Sequence, residues 1–297
     1  MEVGFIGIGQ MGGPMSRRLL EAGYDLTVHD VRKDAVKFLI DKGAKWAESP
    51  KTAAKTCRVV ISCLPTPIQV QEVVYGTDGL MAGWKAGDIY VDMSTNSPTL
   101  IRQVAKDAKT IGVAVLDAPV TGGTQGAQGG TLAIMVGGDK TYLEEIRQIL
   151  QAMGNRIFHV GDVGCGNVAK LVNNLISLTN NTICAEAFVL GIKAGIDPQI
   201  LWEITTSGTA NNWNLQQYPR TVFKGNFDPG FRLSLGSKDI GLAMQLGREY
   251  GVPLFVGAAV EQSLLEAKAA GFEDKSVDAV VLYLEKLLGV QVRPAQK

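Results

Sequence analysis

The sequence predicts an α/β chain: a doubly wound, parallel-sheet domain over residues 1–162 followed by an all-helical domain over residues 163–297. Two observations carry this. Up to residue 160, short Val- and Ile-rich runs alternate with longer amphipathic segments, the pattern of parallel strands and covering helices. Beyond Gly161 strand-like runs nearly vanish, while helical periodicity persists almost to the end. At 297 residues and 46% hydrophobic composition, the chain has the length for two ordinary domains and enough apolar residues to give each a core.

Taken in order, the strands are expected at residues 3–8, 25–29, 59–64, 89–92, 114–117, 133–136 and 156–159, with helices between them at 13–22, 33–42 and 141–153. In the second domain the helical pattern is clearest at 198–205, 240–250 and 258–270. No repeat or low-complexity linker separates the halves, so residues 161–166 read as a turn leading directly into a helix. Residues 292–297 read as a frayed tail.

The balance of charge excludes some partners. Lys plus Arg and Asp plus Glu each total 29, which leaves no net field to draw the chain onto nucleic acid or an anionic membrane. The opening Met1-Glu2-Val3-Gly4 lacks the basic region and apolar run of a secretory signal, and no apolar stretch is expected to reach the length of a membrane span. Cys57, Cys63, Cys165 and Cys184 are widely spaced, with only His29 and His159 to join them, so no metal site is expected and the thiols fit a reducing cytoplasm. Three of them sit in apolar sequence and read as small core residues; for Cys165, between two glycines, the reading stays open.

Gly7-Ile8-Gly9-Gln10-Met11-Gly12 follows an apolar strand and opens a helix, the context in which a Gly-x-Gly-x-x-Gly pattern indicates a Rossmann-type dinucleotide turn. Gly7 permits the tight turn, Gly9 lets the backbone approach a pyrophosphate, Gly12 lets helix and strand pack closely, and the helix N-terminus faces the phosphates. Asp30 ends the next strand at the expected distance of about 20 residues, where its carboxylate can accept from a ribose and repel a 2′-phosphate. NAD is therefore favoured over NADP, although Arg32 and Lys33 can offset that repulsion and keep NADP open.

Between residues 163 and 185 the one charged residue is Lys170, amid Asn167, Asn173, Asn174, Asn180 and Asn181. Val168, Leu171, Val172 and Leu175 have i, i+3, i+4, i+7 spacing, and Lys170, Asn174, Ser177 and Asn181 form a second stripe on the opposite side. A face meant for water would carry Glu, Lys or Arg, so the uncharged stripe reads as the lining of a cleft between domains. A partly desolvated lysine there has its pKa lowered from about 10.4 toward neutrality, as acid–base work requires, with Asn174 one turn on to hold the ammonium or a substrate oxygen. A lysine snorkelling from an interface helix fits the pattern equally well. Asp117-Ala118-Pro119-Val120-Thr121-Gly122-Gly123 offers a hydroxyl and two unobstructed N–H groups suited to a carboxylate, or simply a turn with positive dihedrals. Gly236-Ser237-Lys238-Asp239 is expected to start a helix that Asp239 caps; alone, Lys238 reads as a surface residue.

Together these motifs resemble the β-hydroxyacid dehydrogenase family over almost the whole chain. Residues 5–16 resemble its N-terminal signature, 117–123 its substrate loop, 166–174 its catalytic helix, and Lys238-Asp239-Ile240-Gly241-Leu242-Ala243 its later lysine segment. The resemblance implies Lys170 as acid–base, Thr121, Gly122, Gly123 and Asn174 as substrate contacts, and Lys238 beside both nicotinamide and substrate. It also implies dinucleotide contacts at Leu64, Pro65, Thr95 and Phe231, and a homodimer or homotetramer built through the helical domain. Thr121 departs from the family's usual serine: the hydroxyl stays, and the added methyl bears on substrate identity.

The expected function is hydride transfer between a nicotinamide dinucleotide and a small β-hydroxyacid or its semialdehyde. Two rivals remain at this level: a dinucleotide-binding sensor or assembly module without chemistry, and a reductase of other chemistry, such as imine reduction, on the same architecture.

Overall fold

The computed structural model describes residues 2–294. The chain divides into two compact units, Met1–Lys170 and Leu171–Lys297. The division falls beyond residue 162, within the helix Cys165–Lys193, because the first turn of that helix belongs to the sheet unit: Asn167 is hydrogen-bonded to Asp117, and Gly166 lies against Met135 and Asp117.

Among the described residues the first unit carries β1 (Glu2–Ile6), β2 (Asp25–His29), β3 (Lys45–Trp46), β4 (Val59–Ser62), β5 (Ile89–Asp92), β6 (Ala114–Asp117), β7 (Val120–Thr121), β8 (Ala133–Gly137) and β9 (Arg156–Gly161). The sheet order is β3-β2-β1-β4-β5-β6-β8-β7, with β9 also paired to β8. From β3 to β6 every pairing is parallel, and the direction of winding reverses between β1 and β4. Side chains alternate between the two faces: Val59 and Ile61 pack with Met15, Leu19 and Leu143 on one side, and Val60 with Val70, Val74 and Val104 on the other. Helices cover both faces, as a parallel sheet requires.

Two parts of the strand reading change. β8 runs antiparallel to β6 and β7, because Gly122 (φ +127°) and Gly123 (φ +63°) reverse the chain into the short helix Gly123–Gly129 instead of a crossover. The two-residue strands β3 and β7 are too short to show a period. The expected helix at 33–42 is a 3₁₀ turn, Lys33–Val36, followed by one α-turn, Lys37–Ile40.

The second unit is helical, with Pro198–Ser207, Trp213–Gln217, Leu233–Glu249, Phe255–Ala267 and Val280–Leu288 joining the greater part of Cys165–Lys193. Its core gathers Leu178, Phe188, Tyr218, Ile240, Val260, Leu264 and Val280. The C-terminal segment is strapped down at its start. Buried Glu285 accepts from the Val292 N–H at 2.7 Å and from Arg293 Nη1 at 2.9 Å, and Val292 is fully buried. The expected fraying at 292–297 therefore does not hold for 292 and 293, and residues 295–297 lie outside the described ones.

The long helix corrects two expectations. By length and composition it is apolar enough to cross a membrane, since its many Leu, Ile, Val and Ala residues outweigh the asparagines that interrupt every apolar run. Its polar and apolar stripes are also not opposed. Asn167, Asn174 and Asn181 recur every seven residues and are buried on the side that holds Leu171 and Leu178. The exposed side is apolar instead: Val172, Ile176, Ile183 and Leu190 are 49–71% exposed.

Candidate active site

The carboxyl ends of β1, β2, β4, β5 and β6 collect most of the expected dinucleotide and substrate residues, all within the first unit. In open α/β sheets this edge, at the reversal of strand order, is where ligands bind. Gly7 has φ +92°, and a Cβ on Gly12 would overlap the Gly7 carbonyl oxygen, so the fold itself demands both glycines. Gly9 differs: nothing lies within 4 Å of the place its Cβ would take. Packing does not account for that glycine, whereas the approach of a pyrophosphate does, so the turn fits a dinucleotide.

The Ile8 N–H donates to Asp30 Oδ2 at 2.7 Å and the Arg32 N–H to Asp30 Oδ1 at 2.9 Å, which locks the carboxylate beside the glycine turn. The Arg32 guanidinium is exposed, its Nε 3.9 Å from Asp30 Oδ1. Gln10 is exposed and Met11 half-buried. Beyond β4, the Leu64 N–H donates to Ser94 Oγ at 2.9 Å, which ties Leu64 and Pro65 to the segment carrying Thr95.

Next to these ends lies a buried polar network that the sequence reading did not single out. Asp92 and Asp117 are register partners at the ends of β5 and β6, and both are fully buried. Asp92 Oδ1 accepts from Ser62 Oγ at 3.0 Å and from the Ser94 N–H at 3.1 Å, and Oδ2 from Asn96 Nδ2 at 2.8 Å. Asp117 accepts from the N–H groups of Gly164 and Asn167, each at 2.7 Å. Burial raises both carboxyls against the opposing pull of these donors, Asp117 up to about 6. The signal available in sequence was an aspartate closing each of two apolar strands, Ile89-Tyr90-Val91-Asp92 and Ala114-Val115-Leu116-Asp117.

Lys170 is half-buried near the start of Cys165–Lys193, and Thr121 ends β7 opposite Ala133, followed by the exposed Gly122 and Gly123. In the helical unit, Asn174 Nδ2 donates to Asp239 Oδ2 at 2.6 Å, and Lys238 Nζ lies 2.9 Å from Asp239 Oδ1. Asp239 is buried in mid-helix, six residues into Leu233–Glu249, and joins Asn174 to Lys238; it does not cap a first turn, because the helix begins earlier than the glycine at 236 suggested. Phe231 is half-buried just before that helix, its carbonyl accepting from the Val277 N–H at 2.8 Å.

Residues 2–161 match the family described as the NAD binding domain of 6-phosphogluconate dehydrogenase, and residues 164–284 that described as NAD-binding of NADP-dependent 3-hydroxyisobutyrate dehydrogenase. The 2-(hydroxymethyl)glutarate dehydrogenase of Eubacterium barkeri is 36% identical over 100% of this chain and 99% of its own length. The chain belongs to the β-hydroxyacid dehydrogenase family. Within that family, the NAD-dependent L-serine dehydrogenase of Pseudomonas aeruginosa is 40% identical over 82% of this chain and 84% of its own. The solved 3-hydroxyisobutyrate dehydrogenase of Mycobacterium tuberculosis superposes with a TM-score of 0.87 at 34% identity, over 95% of this chain and 98% of that one. The imine reductase of a Pseudomonas species, at 16% identity and a TM-score of 0.60, shares the fold alone. This β-hydroxyacid dehydrogenase is thus an oxidoreductase acting on hydroxyl groups with a nicotinamide dinucleotide.

Proposed function

We propose that the enzyme oxidises small acids bearing a primary hydroxyl β to the carboxylate, or reduces the matching semialdehydes, with Lys170 as acid–base and NAD as the preferred dinucleotide. The observation that carries this is the gathering, at one edge of one sheet, of the glycine turn, Asp30, the Thr121-Gly122-Gly123 turn and the root of the helix that bears Lys170. The relatives' names share a fragment, HO–CH₂–CH(R)–COO⁻, present in 3-hydroxyisobutyrate, 2-(hydroxymethyl)glutarate and serine alike.

Bound nicotinamide supplies the hydride acceptor or donor. Thr121 Oγ and the N–H groups of Gly122 and Gly123 hold the substrate carboxylate. Lys170 Nζ, as the free amine, takes the hydroxyl proton while the carbinol C–H bond breaks, and as the ammonium it returns that proton in reduction. Asn174 and Lys238 are assigned to substrate, and Leu64, Pro65, Thr95, Phe231 and Lys238 to the dinucleotide, on the family resemblance. Asp30, already oriented by two N–H groups, accepts from a ribose hydroxyl and disfavours a 2′-phosphate.

A panel of such acids assayed with NAD and NADP separately reads substrate and dinucleotide together. Lys170→Ala is expected to keep NADH binding and lose about 10²–10⁴ in turnover. Near-parental turnover overturns the assignment. We further propose a cytoplasmic homodimer or homotetramer, supported by the exposed apolar face of Val172, Ile176, Ile183 and Leu190, which fits a second copy of the chain. A monomer mass by light scattering contradicts it.

A further inference from the structure

Among the described residues five α-helices are capped by the side chain of the residue just before them: Ser49, Ser97, Asp139, Asp197 and Asn212 each accept from an N–H in the turn they precede. The helix that bears Lys170 is held differently. Its first turn is met by Asp117, from the end of β6: Oδ1 accepts from the Gly164 N–H and Oδ2 from the Asn167 N–H, with Asn167 Nδ2 at 3.3 Å. Those N–H groups have no partner inside the helix, and the positive end of its dipole lies there, so the carboxylate performs the work of a cap from a distant strand.

The arrangement is built for this. A Cβ on Gly137 would overlap Asp117 Oδ1, and one on Gly166 would come within 2.9 Å of Oδ2. A second tie runs beside the first: the Asn96 N–H donates to Asn167 Oδ1 at 2.7 Å, and Asn96 Nδ2 reaches Asp92. Burying a carboxylate costs desolvation that a surface cap avoids. What the costlier cap adds is a fixed link between the helix and the ends of β5 and β6. Thr121 stands four residues beyond Asp117, and Lys170 three beyond Asn167.

We propose that Asp117, assisted by Asn167, is the positioning residue for Lys170, setting where its amine stands relative to Thr121, Gly122 and Gly123. This rests on the reading of Lys170 as the acid–base. The test is steady-state and single-turnover oxidation of L-serine, 3-hydroxyisobutyrate and 2-(hydroxymethyl)glutarate with NAD, alongside NADH binding. Asp117→Asn keeps one accepting oxygen and turns an NH₂ toward a second donor. It is expected to lower kcat about tenfold or more while NADH affinity stays within about twofold, since small misplacements of a reacting group cost that much. Asn167→Ala, which leaves both N–H bonds of Asp117 in place, shows a smaller loss in kcat with the same unchanged affinity.

In a Lys170→Ala background, Asp117→Asn adds less than about a further twofold, because nothing remains to be positioned. If Lys170→Ala alone turns over like the parent, the acid–base reading fails and this inference falls with it. If Lys170→Ala is inactive but the kcat of Asp117→Asn is parental, or the two losses multiply, the inference is overturned and the acid–base reading stands. Should Asp117→Asn not fold, Asn167→Ala decides: parental kcat with parental NADH binding overturns the proposal.

Discussion

Asp117 in the sheet unit and Asp239 in the helical unit are buried carboxylates held by different means. Asp117, at the end of a strand, is answered chiefly by backbone: two N–H groups at 2.7 Å. Asp239, in the middle of a helix, is answered by side chains, Asn174 Nδ2 at 2.6 Å and Lys238 Nζ at 2.9 Å. The reason is structural. Strand ends and helix starts leave N–H groups unspent, whereas a helix interior has spent all of its own. The strand-end and helix-start region should therefore be sensitive to changes in backbone freedom, and the Asp239 pairing to the loss of single side chains.

The largest effect is expected where the backbone argument is most severe. Gly12→Ala places a Cβ onto the Gly7 carbonyl oxygen, with neither group free to move without opening the turn. A loss of more than about 4 kcal/mol is expected in denaturant titrations, with dinucleotide binding gone. A stable variant would break the comparison at its strongest point.

The same contrast explains what was legible in the sequence. The glycine turn, Asp30 and the positions of β1, β2, β4, β5 and β6 could be read because a parallel strand, a turn and a helix N-terminus each constrain residue type locally. The return of β8 could not, since it depends on two consecutive left-handed glycines whose direction no pattern reveals. The long helix misled for a related reason: with Asn174 and Asn181 buried and Ile176 and Ile183 exposed, polarity does not mark the inward face. Gly236 looks like a boundary and so puts Asp239 at a helix start, yet that glycine already lies inside the first turn of Leu233–Glu249, where an added Cβ would sit 3.2 Å from Leu178 Cδ2. Packing, not a turn, accounts for it.

A second effect separates the units by pH. Burial raises Asp117 from the ordinary 3.8 to about 6, assisted by the charge of Asp92 and opposed by its two N–H donors. The folded chain therefore holds a proton there between about pH 4 and 6 that the unfolded chain has released, so this group's contribution to stability falls as pH rises through that window and is flat above it. The span is at most about 3 kcal/mol. Urea midpoints at pH 4–7 are expected to show this slope reduced in Asp117→Asn, through the loss of its own titration and of its charge beside Asp92. An identical slope would place the titration elsewhere.

In the helical unit, Asp239→Ala leaves the Lys238 ammonium and the Asn174 amide without the carboxylate both now meet. A loss of about 2–3 kcal/mol in thermal or denaturant unfolding is expected. Asp239→Asn, which can still accept from Asn174, should recover part of it. If the alanine variant is as stable as the parent, side-chain pairing is not what holds this helix, and the distinction between the units weakens.

The smallest effect on stability is expected at Gly9, and it isolates binding from folding. Gly9 does not have a positive φ, and an added Cβ would meet nothing within 4 Å. Replacing such a glycine with alanine narrows the unfolded ensemble and stabilises by about 0.4–1 kcal/mol. The methyl would, however, occupy the surface a pyrophosphate must approach. Gly9→Ala should thus unfold at the same or a slightly higher denaturant concentration while NADH affinity falls about tenfold or more, roughly 1.4 kcal/mol. Unchanged affinity would mean that the phosphates do not lie over Gly9. A matched fall in stability would mean that Gly9, like Gly12, is required by the turn itself, and the same backbone would then be serving packing at both glycines.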